Sequence, residues 1–130
     1  MLSHDRERQL KEFENSLGYQ FHNIQLLDIA LTHSSYANER HGNFRHNERL
    51  EFLGDSVLGL VISEYLYTNF PELAEGSLAK IKSLVVSEFC LAKAARRIGL
   101  GQLMLLGKGE EHTGGRDRDS ILADAFESVI

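Results

Sequence analysis

Residues 46–58, HNERLEFLGDSVL, place Glu48, Glu51 and Asp55 inside an otherwise apolar helical pattern. At about 100° per residue, Glu51 and Asp55 fall within roughly 60° of Glu48. On that pattern one flank of the helix is acidic, and Leu50, Leu53, Val57 and Val61 on the opposite side form the expected core stripe. A second acidic pair, Asp124 and Glu127, stands at i and i+3 in the segment DSILADAFESVI, again on one helical face. If the two helices pack face to face, Glu51, Asp55, Asp124 and Glu127 meet in one small volume, where bare carboxylates repel. Divalent cations relieve that repulsion, and oxygen-only ligands favour Mg²⁺, with Mn²⁺ as a substitute. Such ions can activate water and stabilise a leaving oxygen in phosphodiester hydrolysis. The other reading is that these acids are only the solvated faces of surface helices.

Other metal and phosphate signatures are missing from the sequence. It holds no His-Glu-x-x-His, no zinc-spaced Cys pair, no Gly-x-x-x-x-Gly-Lys and no Glu-x-x-His.

Phe52 interrupts the arrangement. The same rotation puts its ring within roughly 40° of Glu48, far from the Leu and Val stripe. It needs a cover, either from this chain or from another subunit.

The elements that must position these groups read as helices throughout. A first amphipathic helix over 5–15 carries Leu10 and Phe13 and stops at Gly18, and Asn23 caps a second, with Phe21 packing back on it. Residues 35–45 read as a polar loop rich in turn formers. The acidic helix then runs to about Tyr67, its Gly54 and Gly59 implying close helix packing, and Phe70-Pro71 ends it. Two further core helices are expected over 75–86 and 88–98, the second capped by Ser87. Four glycines between 107 and 115 mark a flexible charged loop. Asp119 or Ser120 caps a last helix that carries no stop signal at Val129 and Ile130. The expected architecture is all-α, a single domain over 1–130.

Composition limits the partners. The net charge of −5 argues against binding nucleic acid through a broad basic surface, although bound cations would invert the local field. Cys90 is the only cysteine, so an intramolecular disulfide is impossible, and the residue reads as core in a reducing cytosol. No run approaches the roughly 18 apolar residues of a membrane span, and the charged N-terminus lacks an apolar signal core. A cytoplasmic location is expected.

Residues 47–58, NERLEFLGDSVL, closely resemble the signature stretch of the ribonuclease III family. ALTHSS at 30–35, FPELAEG at 70–76 and GGRDRDSILADAFESVI at 114–130 resemble parts of that family's nuclease domain in the same order. The resemblance covers most of the chain, and it implies an all-α ribonuclease III endonuclease-domain bundle over 1–130, incomplete at its C-terminal end and without the double-stranded-RNA-binding domain.

The implied activity is Mg²⁺-dependent hydrolysis of double-stranded RNA, leaving 5′-phosphate and 3′-hydroxyl ends, in processing of ribosomal and messenger RNA. The alternative within the superfamily is a dimeric scaffold or RNA-binding module without chemistry. Carried over by position, Glu51, Asp55, Asp124 and Glu127 are the metal ligands, with Asp55 and Glu127 catalytic and Glu48 and Glu75 in support. The family acts as a homodimer, and the aromatic residue matching Phe52 inserts into the partner subunit. Arg116 and Arg118 either meet phosphate oxygens or belong to a solvated loop. His33 reads as a helix-terminal histidine, and His46 as a cap for the acidic helix or an RNA contact.

Overall fold

The computed structural model describes residues 2–130. It contains nine α-helices and one 3₁₀ turn, with no strand among the described residues beyond an isolated bridge between Thr32 and Leu105. Helix α1 (His4–Leu17) starts at Ser3, whose Oγ accepts from the Arg6 amide at 3.1 Å, and ends at Gly18 with φ 74°. Asn23 caps α2 (Ile24–Ala30) through its side-chain oxygen. Then follow α3 (Ser34–Asn38), α4 (Glu48–Asn69), α5 (Glu75–Val85), α6 (Glu88–Arg97), α7 (Leu100–Leu103) and α8 (Lys108–His112). The 3₁₀ turn (Gly115–Asp117) leads into α9 (Asp119–Val129).

Helix α9 is the spine. It packs against α6 on one side and α4 on the other, burying Ile121, Leu122, Ala123, Ala125, Glu127 and Ser128. The main core gathers Leu10, Leu27, Leu31, Leu100, Met104 and Leu122, while Leu58, Leu91 and Ala123 form a smaller cluster joining α4, α6 and α9. Burying each of these leucines is worth about 1.5–3 kcal/mol.

Five expectations change. The core stripe assigned to α4 is largely open: Leu53 and Val61 are 59% and 54% exposed, Val57 is also exposed, and only Leu50 is half-buried. The helix instead buries Gly54, Leu58 and Leu66, on the flank that carries Glu51 and Asp55. Apolar residues run almost all round α4, so periodicity could not choose the side, and packing against α9 chose it. Helix α5 buries none of its residues, and Leu84 is 65% exposed. Cys90 is only half-buried.

The other two changes turn loops into structure. Residues 34–38 form α3, started by His33, whose Nδ1 accepts from the Ser35 amide at 3.1 Å. The glycine-rich stretch folds as α8 and the 3₁₀ turn. Gly107 is required there by contact, because a Cβ would meet the Ser35 carbonyl and the Glu39 carboxylate. Glu39 caps α8, accepting from the amides of Lys108 (2.8 Å) and Gly109 (3.2 Å).

Candidate metal centre

Gly54 sets the separation of α4 and α9. A Cβ there would overlap the Glu127 carbonyl, so only glycine lets the two backbones approach this closely. Two turns earlier Asn47, 3% exposed, ties the start of α4 down. Its amide donates to the Thr32 carbonyl (2.9 Å), its Nδ2 donates to the Ala30 carbonyl (3.1 Å), and its own carbonyl accepts from Ser128 Oγ (3.2 Å). The two contacts bracket Glu51 and hold it against α9.

One carboxylate oxygen from each of Glu51, Asp124 and Glu127 lies within 4.8 Å of the others. Glu51 and Asp124 are half-buried and Glu127 is buried, with 8% exposure. Asp55, one turn beyond Glu51, is exposed and falls outside that tight group, but it flanks Glu127 closely enough to accept a hydrogen bond from it. Three of the four expected ligands therefore converge, and the fourth stands at the rim.

The electrostatics are those of crowded acids. Burial pushes the Glu51 carboxyl up to about 7, reinforced by the Asp124 charge and a hydrogen bond to it. Burial and then the hydrogen bond to Asp55 push Glu127 up to about 8. Asp124 is raised too, first by burial and also by Glu88, against the lowering pull of its bond from Glu51 and of His33. Without a cation the cluster holds protons near neutral pH, which is the mark of a site short of positive charge. Glu88 and His33 come near Asp124 only through tertiary packing, and no local sequence pattern marks Glu88.

This arrangement has counterparts among known proteins. A family model described as Ribonuclease-III-like matches residues 23–130. The chain is 51% identical to ribonuclease 3 of Treponema denticola, over 99% of this chain and 52% of that protein. To ribonuclease 3 of Caldanaerobacter subterraneus subsp. tengcongensis it is 56% identical, over 93% and 53%. Among solved structures, the nuclease domain of ribonuclease III from Campylobacter jejuni superposes with a TM-score of 0.85 at 43% identity, covering 92% of this chain and 80% of that one. The chain belongs to the ribonuclease III family. It spans about half the length of the curated relatives it matches.

The remaining positions implied by that family fall outside the tight cluster. Glu48 opens α4, is exposed, and acts on Glu51 through its charge. Glu75 opens α5 and is also exposed; it is not among the clustered ligands of this chain. Phe52 is 79% exposed, so nothing within the described residues covers it.

Arg116 and Arg118 do not extend from a mobile loop. Arg116 donates to the Gly101 and Met104 carbonyls at 2.8 Å each and pairs with Glu111 at 2.6 Å. Arg118 pairs with Glu110 at 2.7 Å and donates to the Thr113 carbonyl. Both guanidiniums fasten α8 and the 3₁₀ turn. His46 does not cap α4: the N-cap position is Asn47, and His46 Nδ1 is buried without a partner.

Proposed function

We propose that this chain is the nuclease part, residues 1–130, of a metal-dependent endoribonuclease that hydrolyses double-stranded RNA to 5′-phosphate and 3′-hydroxyl ends, in cytoplasmic processing of ribosomal and messenger RNA. The observation that carries this reading is the convergence of Glu51, Asp124 and Glu127 within 4.8 Å, with Asp55 beside them. The family's membership and the curated relatives named ribonuclease 3 support it.

The donor set suits a hard divalent cation, Mg²⁺ with Mn²⁺ as substitute, since every donor is a carboxylate oxygen and two of the acids are protonated near neutrality without one. Glu51, Asp124 and Glu127 would hold it, and Asp55 would take a rim position. A bound cation supplies an acidic water and charge stabilisation for the departing oxygen. The chain's own contribution is geometric and protonic. Gly54 and Asn47 fix the ligand spacing, Glu51 and Glu127 release protons as the site loads, and exposed Asp55 is placed to exchange a proton with water.

Two copies would act together, one strand each, with Phe52 of each chain seated on the other. Its 79% exposure supports this, as does the Campylobacter nuclease domain, described by a region involved in dimer formation.

The test is cleavage of a labelled RNA duplex at low salt in Mg²⁺, in Ca²⁺ and without metal, beside Glu127→Gln. Cutting in Mg²⁺ alone, reduced more than about 100-fold by the substitution, is expected, since losing a ligand exceeds the usual 10–100-fold cost of disturbing a ligand's neighbour. Binding without cutting in every metal would favour a scaffold.

A further inference from the structure

Five of the nine arginines are held by carboxylates within the chain: Arg6, Arg8, Arg96, Arg116 and Arg118. Of the other four, Arg40 and Arg45 lie in the exposed loop between α3 and α4, RHGNFRH over 40–46, which holds two arginines, two histidines and no acid. Arg40's neighbour Glu39 turns its carboxylate to the amides that open α8 and forms no ion pair with Arg40, although the Arg40 charge reaches it. The Arg40 guanidinium lies 3.3 Å above the centre of the Tyr36 ring and donates to the Tyr36 carbonyl at 3.1 Å, which leaves the rest of its donor fork free.

The loop's exit is fastened beside the carboxylates, and its entry is fastened against α8. At its exit Asn47 joins Thr32 and Ser128, the residue next to Glu127. At its entry Ser35 accepts from the Gly107 amide at 2.8 Å. The loop is thus a short basic segment anchored at the acidic site of a chain whose net charge is −5. Arg49 is different: it stands about 160° around α4 from Glu51 and points away.

We infer that the loop over 40–46 is a phosphate-contacting surface for duplex RNA, with Arg40 and Arg45 as its contacts. This inference rests on the double-stranded-RNA reading and assigns its backbone contacts to a segment other than Arg116 and Arg118. Phosphate contacts fix register without reading sequence, so the loop would seat any duplex across the carboxylates.

The experiment measures duplex affinity of the full chain in Ca²⁺ against salt, for wild type, the double variant Arg40→Gln/Arg45→Gln, and Arg97→Gln, an unpaired arginine at the end of α6. Two lost phosphate contacts should flatten the slope of log affinity on log salt by about 1.5 and weaken binding about tenfold, whatever the duplex sequence. Arg97→Gln should match wild type, and Mn²⁺ affinity should be the same in all three. A slope unchanged in the double variant overturns the assignment, as does an equal loss in Arg97→Gln, which would make the effect diffuse charge. A wild-type chain that fails to hold duplex even at about 50 mM salt sinks the duplex-RNA reading itself, a distinct outcome.

Discussion

Helices α4 and α9 carry matching acidic pairs among apolar residues, yet the chain treats them oppositely. Helix α9 is walled in on both sides, and even Glu127 and Ser128 are buried. Helix α4 buries three residues of twenty-two and leaves Phe52, Leu53, Leu60 and Val61 to solvent. Its inner flank is a seam set by backbone contact, and its outer flank is an apolar face with no cover among the described residues. A helix apolar nearly all round is left with a second apolar face to cover. The acids sit on the seam, where close packing both desolvates them and fixes their spacing.

The sharpest way to break the seam is Gly54→Ala. The added methyl meets the Glu127 carbonyl, which is backbone and cannot swing aside. Overpacking of this kind costs about 3 kcal/mol, a large share of the roughly 5–15 kcal/mol a domain has. Urea unfolding should show that loss, and Mn²⁺ binding should weaken with it because α9 must move outward. A variant with wild-type stability and metal affinity would mean that the helices are not held where the structure has them.

The outer flank predicts the reverse. Phe52→Ala should leave the unfolding free energy of the single chain within about 0.5 kcal/mol, since an exposed ring contributes little to it. Dimerisation should weaken by about 30-fold, in keeping with the 2 kcal/mol or more of a buried aromatic anchor. Sedimentation at low protein concentration measures it, and an unchanged profile would remove Phe52 from the interface.

Much of this was legible in the residues. The caps at Ser87 and Asn23, the stop at Gly18 and the acidic pairs on two separate helices follow from local pattern, whereas the meeting of Glu51 with Asp124 and Glu127 depended on how those helices pack. What was not legible depended on tertiary choice. Periodicity offered two apolar sides of α4, and the wrong one looked like core because Leu53, Val57 and Val61 are as apolar as Leu58 and Leu66. Glycines at 107 and 115 read as flexibility, whereas they mark close contacts with Glu39 and Glu110. Arginines after two glycines read either as ligands for phosphate or as charges of a solvated loop, and their partners Glu110 and Glu111 lie only five to eight residues back. The carbonyls of Gly101 and Met104 that complete the hold on Arg116 become visible only in the fold.

The smallest expected effect separates the two flanks by pH. Glu51 and Glu127 are raised from 4.5 to about 7 and about 8, so between those limits the folded chain binds more protons than the unfolded one. Stability from this source is complete below the unfolded value near 4.5 and is lost as pH rises through 7 to 8. Glu39, lowered by the Lys108 amide, and Glu111, lowered by Arg116, have the opposite sign and lose their contribution as the pH falls. The metal-free chain should therefore melt at a lower temperature at pH 8.5 than at pH 5.5, its stability being lower by about 1 kcal/mol or less after solvent screening. Mg²⁺ should restore the difference at high pH, because the cation takes the place of the lost protons. Phe52→Ala should show the same pH dependence as wild type, since its ring carries no charge and lies on the other flank. Glu127→Gln should show less of it. A melting temperature that rises from pH 5.5 to 8.5 without metal would mean that the carboxylates are not crowded, and the α4–α9 seam would lose its chemical meaning.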